Sequence, residues 1–112
     1  MITPKELVEN GYKVFKEPFM KDNDTYVESY QKAIRDEYGK IKYFITFVLH
    51  NMEKYTEGKI KDFLTSDIQL NGRVDDRPTI DIHVSPAESS LKEVEDLYET
   101  LFIASKAEKY NF

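Results

Sequence analysis

The stretch "DDRPTIDIHVSPAESSLKEVEDLYETLF", residues 75 to 102, decides the fold of this chain. In its first part Ile80, Ile82 and Val84 alternate with polar residues, which is the pattern of a strand with one buried face. In its second part Ser90 and Glu93 have the spacing of a helix-capping box. An apolar stripe at helical spacing follows, made of Leu91, Val94, Leu97, Tyr98 and Leu101. A strand followed by an amphipathic helix predicts a helix that lies on a sheet.

The segments that precede this stretch favour further strands. Tyr26, Tyr30 and Ile34 recur every four residues, which fits both a helix and a strand, so the 26–35 segment stays ambiguous by periodicity. We favour a strand because the turn sequence "DEYGK", with Gly39, comes directly after it. The other expected strands are an edge strand "YKVFKEPF" ending at Pro18, the central strand "IKYFITFVLHNM" and the strand "LTSDIQLN".

A short helix is expected at the amino terminus. Thr3 can cap it, Pro4 fits its first position, Glu6 completes a capping box and Gly11 fits its end. The sequence therefore predicts one α+β domain over residues 1–112. Its antiparallel sheet has four or five strands, and the carboxy-terminal helix packs on it.

The bulk composition narrows the classes of function. The net charge is −5 and no basic run occurs, so direct nucleic-acid binding is not expected. The chain has no cysteine, which excludes disulfides, thiolate chemistry and cysteine-based zinc sites. No apolar stretch has the length of a membrane span or of a signal-peptide core, and we expect a cytoplasmic protein.

The pair Asp81 and His83 is the one candidate for a chemical site. Two positions apart on a strand, both side chains leave the same face and could share a metal ion. A zinc site would need a third ligand, for which His50 or Asp75 is the candidate. The same alternation also arises on the solvent face of any half-buried strand. A metal-binding domain or metal-dependent enzyme is therefore kept as the alternative function.

The sequence contains neither of two common catalytic motifs, so it does not favour an enzyme. The chain contains 4 glycines, none at the spacing of a phosphate-binding loop, and no serine lies in a Gly-x-Ser-x-Gly turn. We therefore predict no catalytic residues and no cofactor.

Aromatic residues are abundant, with 8 Tyr and 7 Phe. Phe44 lies on the second face of the central strand, and Phe102 lies beside the apolar stripe of the last helix. These residues either cover both faces of the sheet or form an exposed patch of the kind that marks protein interfaces. The predicted interaction surface consists of Phe44, Tyr98 and Phe102.

The segments "YQKAIRDEYGKIKYFITF" and "RPTIDIHV…SLKEVEDLYETLF" together resemble small phage- and prophage-encoded proteins of unknown function. The resemblance is a pattern of hydrophobic positions over about two-thirds of the chain, without a catalytic motif. It implies a small accessory protein that acts on another macromolecule.

These observations predict a non-enzymatic protein of phage or mobile-element origin that binds, and in one version inhibits, another protein. Self-association is a form of the same prediction, either through an edge strand such as "YKVFKEPF" or through the exposed flank of the last helix. A third possibility is acidic mimicry of nucleic acid, which would use Glu88, Glu93, Glu95, Asp96 and Glu99.

Overall fold

A computed structural model describes residues 1–16, 24–70, 80–84 and 86–109; of residues 67–70, 80–84 and 104–109 it describes the backbone alone. The described elements, in chain order, are α1 (Pro4–Glu9), β1 (Lys13–Phe15), β2 (Tyr26–Arg35), β3 (Ile41–Asn51), β4 (Asp62–Leu70), β5 (Ile80–Val84) and α2 (Leu91–Lys109). The five strands form one sheet in the order β1-β2-β3-β4-β5, and every neighbouring pair is antiparallel. The predicted α+β fold is confirmed.

Local sequence signals set the ends of several elements. The Thr3 hydroxyl accepts a hydrogen bond of 3.2 Å from the Glu6 amide, which caps α1 as predicted. Gly39, in the turn between β2 and β3, has a φ of 81°, a conformation that glycine adopts without strain. The Ser90 hydroxyl accepts a hydrogen bond of 3.1 Å from the Glu93 amide and caps α2.

The hydrophobic core lies between the two helices and one face of the sheet. Phe47 and Ile45 of β3 are 0% and 1% exposed, and Tyr30 of β2 is 2% exposed. Leu7 of α1 and Val94 of α2 belong to the same cluster. Both helices therefore cover one face of the sheet, the face that carries Tyr30, Ile45 and Phe47. Full burial of a large apolar side chain contributes about 1.5–3 kcal/mol, so this cluster is the main source of stability.

The strands differ in extent from those expected. The edge strand β1 is confined to three residues, and the rest of the "YKVFKEPF" segment after Lys16 lies outside the described residues. Strand β4 begins at Asp62, which adds Phe63 to a segment expected to be a loop. A register shift between Tyr26 and Glu28 places a bulge at the start of β2.

Within the described ranges, no helix has the combined length and apolar character needed to cross a membrane.

Candidate functional site

The sheet has a second face that points away from α1 and α2, and we call it the open face. Side chains alternate along a strand, so the neighbours of the core residues Tyr30 and Phe47 point to this face. In the register, Phe15 pairs with Ser29, Ser29 with Val48, and Val48 with Thr65. These four residues form one cross-strand row on the open face.

Three phenylalanines of the open face are accessible to solvent. Phe15 is 44% exposed, Phe44 is 46% exposed and Phe63 is 38% exposed. The two described helices both pack on the other face, so neither covers these rings. Apolar side chains left uncovered on a sheet face are typical of a surface that contacts another molecule.

His50 lies at one end of the open face and is 9% exposed. Its Nδ1 atom is 2.7 Å from the Thr25 hydroxyl, and its Nε2 atom is 3.3 Å from the Thr65 hydroxyl. Both ring nitrogens thus have a hydroxyl partner, and the imidazole connects the segment before β2 to β4. A metal ion could take His50 as a ligand only if one of these contacts were broken.

The metal hypothesis for Asp81 and His83 falls on residues whose side chains lie outside those described, and Asp75 lies outside them altogether. The backbone of β5 pairs His83 with Asp67 and Asp81 with Gln69. Among the side chains that the structure describes, no group of three histidine, aspartate or glutamate residues comes together as a metal site would require. The hypothesis stays a prediction.

The three residues of the predicted interaction surface lie in different environments. Phe44 is exposed on the open face, whereas Tyr98 is 5% exposed and belongs to the core. Phe102 is half-buried, and its ring centroid is 4.8 Å from that of Tyr43. The ammonium of Lys42 lies 5.7 Å from the Phe102 ring. In this conformation Tyr98 is covered, and only Phe44 is freely accessible to a partner.

Tyr98 has a specific position at the junction of β3 and β4. Its hydroxyl is 2.8 Å from the Ser66 hydroxyl and donates a hydrogen bond of 3.2 Å to the Thr46 carbonyl oxygen. Ser66 donates a second hydrogen bond, of 2.8 Å, to the same carbonyl. The regular pairing of β3 with β4 ends at Val48 and Thr65, two residues after Thr46 and one residue before Ser66. Side-chain hydroxyls therefore replace the backbone ladder at this point.

A cleft between α2 and strands β2 and β3 carries charges of both signs. The acids Glu95, Asp96 and Glu99 line it together with Lys42 and Lys92. Lys92 and Asp96 form an ion pair of 3.1 Å. Neighbouring ammonium groups thus offset part of the acidic charge of α2, which does not favour a surface that imitates a polyanion.

The acidic residues of α2 also interact electrostatically with side chains of β2 and β3. Glu95 forms an ion pair of 3.5 Å with Lys32, which extends from β2. Burial raises the pKa of the Tyr43 phenol, and the charges of Glu99 and Glu95 raise it further. These contacts attach α2 to the sheet, so they need no catalytic role.

Sequence reasoning missed two residues of this region. Phe63 was expected in a charged connection, because the strand signal begins only at Leu64. Ser66, which is 1% exposed, was expected only as a member of a strand's alternation. Its partners Thr46 and Tyr98 are 20 and 32 positions away in the sequence, so no local pattern could have indicated the contact.

Comparison of the chain with protein-family models, with curated proteins and with solved structures finds no match.

Proposed function

We propose that this protein functions in the cytoplasm by binding another protein without catalysing a reaction, and that the open face of the sheet provides the contact. The observation that supports the proposal is the exposure of Phe15, Phe44 and Phe63 on a sheet face that neither described helix covers. Aromatic side chains supply much of the binding energy at protein interfaces. The resemblance to phage-encoded proteins adds the proposal that the target is a host or phage protein.

The position of the three rings supports a contact with a protein surface. They come from β1, β3 and β4, so they are spread over most of the width of the sheet. Next to Phe15 in its cross-strand row lie Ser29 and Val48, which are 3% and 9% exposed, so the rings supply the accessible apolar surface. Strands in a sheet lie about 4.8 Å apart, so four strands span roughly 15–20 Å. A surface of that width suits the partner of a small interface.

The test is quantitative capture from bacterial extract with tagged wild-type protein and three variants. Phe44→Ser and Phe15→Ser remove open-face rings, whereas Tyr38→Ser removes an 87% exposed ring from the turn between β2 and β3. We expect one protein to be enriched equally by the wild type and Tyr38→Ser. Because a central aromatic contact is worth about 2 kcal/mol or more, Phe44→Ser should reduce the capture by about tenfold or more.

Two results would contradict the proposal. One is a partner that Phe44→Ser and Phe15→Ser retain as fully as Tyr38→Ser does. The other is the absence of any protein enriched by the wild type in several extracts. Circular dichroism of each variant shows whether a loss of capture reflects unfolding. Sedimentation of the purified wild type reports whether the bound protein is a second copy of the chain.

A further inference from the structure

The open face carries basic side chains where β1 and β2 form it. Lys13 lies two residues before Phe15 on β1, so the alternation of side chains places both on the open face. Arg35 lies two residues after Ala33, which pairs with Phe44 of that face. The register shift beside Arg35 skips a residue of β3, so the alternation along β2 continues to Arg35. Both basic side chains are exposed.

The strands that form this part of the open face bring no acidic side chain to it. Glu28 is the one acidic residue within residues 13–15, 26–35 and 41–51. Its carboxylate accepts a hydrogen bond from the hydroxyl of Tyr30, a core residue, so Glu28 lies on the opposite face. The acidic residues of α1 and α2 belong to helices that pack on that opposite face too. A chain with a net charge of −5 therefore presents positive charge on the β1–β2 side of its open face.

Neither basic group is neutralised by an ion pair. Among the residues that the structure describes, no carboxylate pairs with Lys13 or Arg35. Asp36 follows Arg35, but its Oδ1 atom accepts hydrogen bonds of 2.9 Å from two backbone amides of the turn. The Arg35 guanidinium instead donates a hydrogen bond of 2.7 Å to the Gly39 carbonyl oxygen. A guanidinium has five N–H donors in a planar fork, so this contact orients the group and leaves donors for a carboxylate.

Each of these basic residues is a neighbour of an exposed phenylalanine. Lys13 and Phe15 are two apart on one strand, a spacing of about 6.5–7 Å between Cα atoms. Arg35 and Phe44 are diagonal neighbours across β2 and β3, and such neighbours lie about 7–8 Å apart. An acidic residue beside an apolar one can therefore contact the charge and the ring together. Arginine and aromatic side chains are enriched among the residues that dominate binding energy.

We propose that the partner contacts the β1–β2 side of the open face through a segment in which acidic side chains lie beside apolar ones. The inference rests on the function proposed above and adds the chemistry of the partner. The carboxylates bind Arg35 and Lys13, and the apolar side chains pack on Phe44 and Phe15. Opposite charges across the interface speed association and select against partners of like charge.

Binding of defined peptides tests the requirement for acidic residues. The probe is a set of peptides selected on the wild-type protein from a phage-displayed library of random peptides, and fluorescence anisotropy measures their affinity. We expect the selected sequences to combine Asp or Glu with apolar residues. Arg35→Glu and Lys13→Glu should each weaken binding by about tenfold or more, because reversal of the charge turns attraction into repulsion. Raising the salt from about 0.05 M to about 0.5 M should also weaken binding to the wild type.

Lys5→Glu is the matched control for the change of charge. It alters the net charge by the same amount, at a side chain that is 87% exposed on α1, away from the open face. It should bind the peptides as the wild type does, whereas Phe44→Ser should weaken their binding. Circular dichroism reports whether each variant folds. Because Arg35 also contacts the turn through Gly39, Lys13→Glu keeps the test decisive if Arg35→Glu unfolds.

Several results would overturn the inference. The first is that no peptide is selected, or that the selected peptides lack acidic residues. Another is that they bind Lys13→Glu and Arg35→Glu as tightly as Lys5→Glu, or that Phe44→Ser binds them like the wild type. Retention of nucleic acid by the wild type, lost in Arg35→Glu, would assign these charges to phosphate binding. A wild-type dimer in sedimentation that Arg35→Glu dissociates would make a second copy the occupant.

The same variants, applied to capture from bacterial extract, separate this inference from the proposed function. If capture falls for Phe44→Ser but not for Lys13→Glu or Arg35→Glu, and does not depend on salt, the partner uses the rings alone. The inference then fails and the proposed function stands. If nothing is captured and no peptide is selected, both fail.

Discussion

The substitution Tyr98→Phe tests how much the Tyr98 hydroxyl, which lies where the β3–β4 ladder ends, contributes to stability. The substitution keeps the ring, which stacks on Tyr43 with centroids 6.4 Å apart, so the packing of α2 on the sheet is preserved. It removes the hydroxyl that donates to the Thr46 carbonyl oxygen at 3.2 Å and contacts the Ser66 hydroxyl at 2.8 Å. Ser66 still donates to Thr46, at 2.8 Å, so that carbonyl keeps one donor.

The expected loss of stability follows from the number of hydrogen bonds that the substitution removes. The variant loses about one net hydrogen bond and leaves the Ser66 hydroxyl, which is 1% exposed, with fewer partners. Such a loss costs about 1–2 kcal/mol of the free energy of unfolding. Tyr98→Ala also removes the ring from the core and should cost about 3–5 kcal/mol.

Urea unfolding followed by circular dichroism measures the difference. The midpoint should fall while the slope of free energy against urea stays constant, because the surface exposed on unfolding is unchanged. Tyr38→Phe is the matched control, since the Tyr38 side chain is 87% exposed, and should change stability by less than about 0.5 kcal/mol.

A double-mutant cycle with Ser66→Ala sharpens the test. Because the two hydroxyls contact each other at 2.8 Å, their effects should not add, and the coupling should be about 0.5 kcal/mol or more. If Tyr98→Phe has the stability of the wild type, or if the two substitutions add independently, the hydroxyls do not join β3 to β4 as described.

Three further predictions concern the stability of the fold. Phe47→Ala, at a side chain that is 0% exposed, should cost about 3–5 kcal/mol in urea unfolding, and a loss below about 1 kcal/mol would contradict its place at the centre of the core. Gly39→Ala should cost about 1 kcal/mol because φ is 81° while no atom lies within 4 Å of the added methyl group, and an unchanged stability would show that the turn adopts another conformation. Burial raises the pKa of Tyr12 and Tyr30, so the unfolded chain releases these protons first, at about pH 10. Stability should therefore be constant below about pH 9 and fall as the pH rises through about 10 and above, and equal unfolding free energies at about pH 8 and pH 11 would refute the burial of these phenols.

Local signals explain why much of the fold was predictable. The cap at Thr3, the turn at Gly39 and the cap at Ser90 each depend on residues within four positions of one another. The ambiguous segment around Tyr30 was correctly predicted as a strand because the turn after it restricts what can precede it.

Features that depend on distant contacts were not predictable in this way. The extension of β4 to Asp62 follows from pairing with Asn51 rather than from its own charged sequence. The bulge after Tyr26 moves that residue out of the alternation that Tyr30 and Ile34 share.

The exposure of the residues in the predicted interaction surface also depends on distant contacts. The helical stripe placed Tyr98 correctly on the side that faces the sheet, but only the packed structure shows that the residue is 5% exposed and bonded to Thr46. Exposure of Phe44 depends on what covers the second face of β3, which the sequence of β3 does not contain.

Chemical-shift mapping of isotope-labelled protein with its captured partner tests the central claim most directly. If the open face is the binding site, the largest changes should occur at Phe15, Phe44 and Phe63, whose rings are exposed on that face. Changes confined to the outward residues of α2, such as Glu93 and Asp96, would place the partner on the opposite side of the molecule and contradict the account.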